Sequence, residues 1–220
     1  FHLPGGFLQL KEGKMSSRKG NVVTGDALLD QIRDAVRDVM LATKRESGAG
    51  EKHVDEIVEK VSIAAVKYAI LKFTVSDDVA FDMKTSISVE GDSGPYLLYI
   101  VARIKSILRK AENLEPGIKN EQQETGNCKP ETIDPTEKQL ILWIAEFPEV
   151  TKQAVETLDP SHIAQYLFTL AQRFNTFYHA CPVLQSEAPT KQFRLALIQA
   201  VLTVMTRGLD LLGIDTVEEM

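Results

Sequence analysis

Ser93-Gly94-Pro95-Tyr96-Leu97-Leu98-Tyr99-Ile100-Val101-Ala102-Arg103-Ile104-Lys105-Ser106-Ile107-Leu108-Arg109-Lys110 is the stretch from which the fold is read. At about 100° per residue, Leu97, Ile100, Val101, Ile104, Ile107 and Leu108 share one helical face, and that face must be core. Tyr96, Tyr99, Arg103, Ser106 and Lys110 fall on an adjacent strip, with Lys105 on a different face. Ser93 can cap this helix, and Pro95 suits a first turn, where its missing N–H costs little. The pattern lasts to about Glu112. Four basic residues and no acidic ones lie between Ser93 and Ala111.

Working outward, helical spacing recurs on both sides. Leu28, Leu29, Ile32, Val36, Val39 and Met40 predict one helix, which Gly48 and Gly50 stop. A second runs from about His53 to Lys72, with Val54, Ile57, Val61, Ala64 or Ala65, and Tyr68 on one face. Residues 73–92 break the rhythm, and Asp77, Asp78, Asp82, Gly91 and Asp92 mark loops around short extended pieces. Residues 114–134 read as a polar surface loop with Pro116, Gly117, Gly126 and Pro130. Asp134-Pro135-Thr136-Glu137 is a capping box, Asp159-Pro160 starts another long helix, and Pro148 divides the helix between them. The last helix covers roughly Thr190 to Leu212. Gln199, Thr203, Thr206, Arg207 and Asp210 form its narrow polar stripe, so most of its girth is expected to be buried. Gly213 ends it, with Ile214 making the apolar contact beyond a glycine C-cap. The fold class is therefore mainly α, a helical bundle behind a short, loop-like N-terminal appendage.

Composition narrows the function classes. The chain has 220 residues, 44% of them hydrophobic, and a formal charge of −6. That charge argues against a general nucleic-acid glue, so RNA binding would use a local basic stripe. Cys128 and Cys181 lack zinc-site spacing and are too few for a disulfide scaffold, which reads as reduced thiols in a cytoplasmic protein. No signal peptide opens the chain, and its longest aliphatic run, Leu97 to Ala102, is too short to cross a bilayer. Phe1 in place of Met marks a fragment or a processed product.

Two segments carry chemistry. Lys14-Met15-Ser16-Ser17-Arg18-Lys19-Gly20-Asn21 is a cationic loop. Its hydroxyls and backbone N–H groups suit phosphate oxygens, while Lys14, Arg18 and Lys19 can offset charge on a pyrophosphate leaving group. A solvated surface turn has the same composition. On the Ser93 helix, tyrosines beside cations suit unstacked RNA bases. They equally suit a boundary between core and solvent, with snorkelling hydroxyls.

The order of residues adds a resemblance. Gly13 to Val22 resembles the KMSKS signature of class I aminoacyl-tRNA synthetases, which follows the last strand of a Rossmann-type nucleotide-binding fold and closes on ATP. By that resemblance Lys14 is the first signature lysine, Met15 a backbone contact near adenine, and Ser16 a phosphate contact. Ser17 stands where the second lysine usually does, and basic charge resumes at Arg18 and Lys19. The four histidines, His2, His53, His162 and His179, offer no His-x-Gly-His context, so the adenylate site is expected outside this chain. Gly91 to Tyr99 with Ala102-Arg103-Ile104 is similar to the start of the DALR-type anticodon-binding domain of arginyl-tRNA synthetases. Phe174-Asn175-Thr176-Phe177-Tyr178, Cys181-Pro182-Val183-Leu184 and Gly208 to Met220 resemble its closing third. The motif naming the domain type is reduced to Phe193-Arg194-Leu195-Ala196-Leu197.

The resemblance implies three regions: residues 1–25 as the end of a catalytic domain, 26–72 as connecting helices, and 73–220 as the anticodon-binding domain. It implies tRNA contacts at Tyr96, Tyr99, Arg103, Lys110, Tyr178 and Met220, with Phe174 as core and Met220 packed back near the RNA surface. It implies catalytic roles for Lys14, Arg18 and Lys19, and ATP contacts from Lys14, Met15, Ser16 and Ser17. The intact enzyme would attach arginine to tRNA(Arg) with ATP and Mg²⁺, in the cytoplasm, with no membrane or DNA partner. The fragment alone would bind no cofactor, hold no metal and perform no adenylation. Rival readings are a class I lysyl or cysteinyl synthetase and a non-catalytic helical interaction module.

Overall fold

The computed structural model describes residues 5–11, 24–44, 51–114 and 132–220. The expected stop at Gly48 and Gly50, the turn residues 116–130, Cys128 and the whole Lys14–Asn21 loop lie outside these residues.

Strand β1 (Leu8–Leu10) is followed by α1 (Gly25–Lys44) and α2 (Glu51–Leu71). Leu28, Ile32, Val36 and Met40, spaced at four-residue intervals, are all buried. They meet Val54, Ile57, Val58 and Val61 of α2 within one core cluster. Across the α1–α2 seam, Arg33 holds Glu59 in a two-pronged pair, Nε to Oε2 at 2.5 Å and Nη2 to Oε1 at 2.7 Å. Arg37 reaches Asp55 at 2.9 Å.

Strand β2 (Val79–Phe81) pairs in parallel with β1, placing Leu8 opposite Val79 and Leu10 opposite Phe81. The N-terminal piece is thus not wholly loop, as its sequence had suggested. Three residues are too few for period-two alternation to show, and the partner lies across two helices. The short α3 (Met83–Ser86) follows at once, capped by Asp82, which accepts from Thr85 N. Lys11, just beyond β1, donates to the same carboxylate at 2.8 Å.

Helix α4 (Gly94–Leu114) is the central element. Ser93 caps it, its Oγ accepting from Tyr96 N at 3.2 Å. Leu97, Leu98, Ile100, Val101 and Ile104 are fully buried. Gly94 makes this packing possible: a Cβ there would lie 2.2 Å from the carbonyl oxygen of Ala64 on α2. Only a residue without one lets the two backbones approach so closely.

Helices α5 (Pro135–Ala145) and α6 (Phe147–Thr157) meet at Glu146, with Pro148 in the first turn of the second, as the sequence predicts. The capping box of α5 forms in full. Its glutamate, Glu137, is 1% exposed and also accepts from Arg194 Nε at 2.6 Å. Helix α7 (Ser161–Ala180) carries Phe174 and Phe177 into the core, both fully buried. Asp159 accepts from Ser161 N at 2.9 Å at its start.

Helix α8 (Ala188–Leu211) is less enclosed than its sequence suggests. Leu197, Ile198, Val201, Met205, Gly208 and Leu209 are buried, but Leu211 is 59% exposed. An apolar residue beside a polar stripe does not have to be covered. Gly213 (φ 65°) closes α8 in a Schellman arrangement: Ile214 N donates to Leu209 O and Gly213 N to Asp210 O. Ile214 and Val217 are then buried, which draws the C-terminal tail against the bundle.

Candidate nucleic-acid interface

Four of the residues singled out from sequence lie on the α4 and α7 faces of one seam. Tyr96, Tyr99 and Arg103 are partly exposed on α4, and Tyr178 is partly exposed on α7. The Arg103 guanidinium lies 5.1 Å from the Tyr99 ring centroid and 5.6 Å from that of Tyr178, both within cation–π range. Its Nη1 donates to Asn175 Oδ1 at 3.2 Å. Asn175 Nδ2 in turn donates to the Tyr96 hydroxyl oxygen at 2.9 Å. One amide therefore ties both ends of the α4 strip to α7.

Each ring is held from behind. Tyr178 stacks on buried Phe174 with centroids 5.9 Å apart and planes 20° apart. Tyr96 meets Phe168 edge-on at 5.9 Å. Burial pushes the Tyr96 phenol above its ordinary value, opposed by the Asn175 hydrogen bond and the Arg103 charge. The phenol stays protonated, and because its oxygen accepts from Asn175, its O–H proton is left for a ligand. The arrangement offers a cationic plane edged by aromatic rings, on a support whose rotamers are fixed by core packing.

Sequence reasoning missed Asn175 and Phe168 as parts of this unit. Asn175 was visible as the polar residue inside Phe174-Asn175-Thr176-Phe177-Tyr178, but its partners lie 72 and 79 positions away. Lys110 is exposed on the same strip, about 10 Å further along α4 at 1.5 Å per residue.

Met220 is partly buried against the core, at the end of a tail held by the other side of α4. Lys105 Nζ donates to Val217 O at 3.1 Å and Glu218 Oε1 at 2.6 Å. Arg109 donates to Glu218 O at 3.2 Å. Lys105 lies about 200° around α4 from Arg103. It is indeed on a different face, yet it is not an idle cation. Lys14, Met15, Ser16, Ser17, Arg18 and Lys19 lie outside the described residues. Among the described residues, no group of three or more His, Cys, Asp or Glu could hold a metal ion, and no helix is long and apolar enough to cross a membrane.

Residues 97–220 match the model of the DALR anticodon binding domain. The whole chain aligns at 37% identity with an arginine–tRNA ligase of Fusobacterium nucleatum, covering 37% of that protein. An arginine–tRNA ligase of Ignicoccus hospitalis is 38% identical over 94% of the chain and 31% of its own length. Among solved structures, Thermus thermophilus arginyl-tRNA synthetase superposes with a TM-score of 0.81 at 29% identity, over 97% of this chain and 34% of the other. That of Plasmodium falciparum, at 21% identity and TM-score 0.75, shares the fold over 98% of this chain and 34% of its own. The chain thus spans about a third of the length of these relatives.

Proposed function

The chain belongs to the DALR anticodon-binding domain family, and from that premise we propose that the α4–α7 seam binds the anticodon loop of tRNA(Arg). The observation that carries this reading is the Arg103 guanidinium held over Tyr99 and Tyr178 and tied through Asn175 to Tyr96. RNA bases splayed from a loop stack on aromatic rings and on guanidinium planes alike. The charge of Arg103 offsets nearby phosphates, and the Tyr96 hydroxyl can donate to a base edge. Lys110 extends the surface along α4 in this proposal, and Met220, at the end of the tail held by the other side of α4, would make a separate contact with the RNA.

The protein of which this chain is part would attach arginine to tRNA(Arg). Relatives that bear the name arginine–tRNA ligase support this over a lysyl or cysteinyl enzyme. In that reaction Lys14, Arg18 and Lys19 would meet the pyrophosphate as it leaves ATP, with Met15, Ser16 and Ser17 against the nucleotide. Mg²⁺ would enter with ATP, and the described residues supply no site for it. The cytoplasm is the compartment where such a reaction fits. The three-part division at residues 25 and 72 belongs to the same reading.

The deciding experiment is to recover the tRNAs this chain retains from a total pool and sequence them. Enrichment of arginine acceptors is the expected result. Enrichment of lysine or cysteine acceptors would reassign the enzyme, and retention without preference would leave an interaction module.

A further inference from the structure

The groove between α5 and α7 contains a buried hydrogen-bond donor that no described residue satisfies. The Arg173 guanidinium carbon sits 4.5 Å from the Trp143 ring centroid. Among the described residues its buried Nε has no hydrogen-bond partner. Leaving a buried donor unsatisfied is costly, so the site calls for an acceptor. Beside it is a cavity of about 280 Å³ lined by Thr136, Gln139, Thr169, Gln172, Arg173 and Thr176.

The hydroxyl protons in this lining are already committed. Thr136 donates to Asp134 Oδ1 at 2.6 Å, Thr169 to Gln165 O at 3.0 Å, and Thr176 to Gln172 O at 3.1 Å. The hydroxyl oxygens of Thr169 and Thr176 are left as acceptors, while that of Thr136 already meets Cys181 Sγ at 3.5 Å. The exposed amides of Gln139 and Gln172 can do either. A ligand that fits must therefore bring an anionic oxygen for Arg173 and a hydrogen donor for the threonines. Inorganic phosphate near neutrality is chiefly an acceptor. A ribonucleotide has a phosphate oxygen and a 2′-hydroxyl that both donates and accepts.

We propose that this groove binds one ribonucleotide of the same RNA that meets the Tyr99–Tyr178 seam, with its phosphate on Arg173 and its 2′-hydroxyl on the Thr169 side. The proposal rests on the tRNA reading above. Gln172 and Thr176 lie about 60° and 100° around α7 from Asn175, and both are exposed. They form the crest an RNA strand would cross between seam and groove.

The test uses the 220-residue chain and a tRNA(Arg) transcript, with Arg173→Gln, Thr169→Val and Tyr99→Ala measured in parallel and folding checked by circular dichroism. Arg173→Gln should weaken binding about three- to tenfold and lower the salt slope by about one phosphate contact. With 2′-deoxy substitutions scanned along the transcript, one ribose that weakens binding to the parent chain should have no effect on Thr169→Val. If Tyr99→Ala loses affinity while folded Arg173→Gln keeps both affinity and salt slope, the groove is not an RNA site and the seam reading stands. If neither variant loses affinity, the seam reading itself has failed. Should Arg173→Gln not fold, an unchanged 2′-deoxy pattern in Thr169→Val overturns the groove proposal by itself.

Discussion

Arg194 on α8 donates its Nε to Oε1 of Glu137 on α5 at 2.6 Å, while Oε2 of the same carboxylate accepts from Asp134 N at 2.8 Å. One buried glutamate thus completes a helix cap and a bridge between helices. Arg194 is also anchored to Pro182 O at 2.7 Å and Ser186 Oγ at 2.9 Å. The arginine that survives from the domain's naming motif is therefore a structural tie joining α5, the α7–α8 turn and α8. Arg194→Ala leaves a buried carboxylate without its cation, a change that typically costs about 3–5 kcal/mol. Urea unfolding should show a loss of that order, with tRNA affinity per folded molecule little changed. A loss below about 1 kcal/mol would show that Glu137 is served well enough by its cap.

Tyr99→Ala should lower tRNA affinity roughly five- to hundredfold, because a base–aromatic stack is worth about 1–3 kcal/mol. Tyr99→Phe should be milder. Arg103→Lys should recover little of what Arg103→Ala loses, since an ammonium has neither the plane nor the fork that reaches Asn175. Lys152→Ala on α6, whose partner is Glu149, is the neutral control. If Tyr99→Ala is folded and binds tRNA like the parent chain, the seam is only a boundary between core and solvent.

Gly94→Val places side-chain atoms against the Ala64 carbonyl, which has no flexible end to yield. Overpacking of this kind typically costs about 1–3 kcal/mol. The α2–α4 contact should loosen, and thermal melting should fall by several degrees. An unchanged melting temperature would mean that α4 can shift along α2 at no cost.

The tail should respond to acid. The Lys105 hydrogen bond holds the Glu218 carboxyl below its ordinary value. Its contribution is present above the unfolded carboxylate pKa of about 4.3 and is lost as pH falls through the lower folded value. Met220 methyl NMR signals should therefore shift toward those of a free tail below about pH 4, and Lys105→Ala should show the free-tail signals already at neutral pH. Deleting Glu218–Met220 should lower tRNA affinity yet barely move the melting point. It removes an ion pair whose carboxylate is open to solvent, and solvent-screened pairs are worth about 0–1 kcal/mol, while Val217 stays buried. A large drop in melting temperature with normal tRNA binding would make the tail purely structural.

What the sequence disclosed was local. The α5 capping box, Pro148 between α5 and α6, the Gly213 stop and the core face of α4 each depend on residues within a few positions of one another. The Tyr96–Tyr99–Arg103 strip was legible for the same reason, since helical spacing alone places it on one side. Juxtaposition across the chain was not legible. Nothing local marks Asn175 as the link between Tyr96 and Arg103, Lys105 as the anchor of the tail, or Arg173 as lodged on Trp143.

The β1–β2 pair joins segments 71 positions apart, and just before the strands Phe7 N donates to Asp78 Oδ1 at 2.7 Å. Closing so long a loop is entropically expensive, and three residues per strand return little for it. Pairing of this kind should follow the docking of the intervening helices α1 and α2 instead of guiding it. The strands should be the last part of the bundle to acquire native structure and the first to release their amides to solvent exchange. Nucleation then falls to α2, α4 and α7, whose buried faces do not wait for the N-terminal strand.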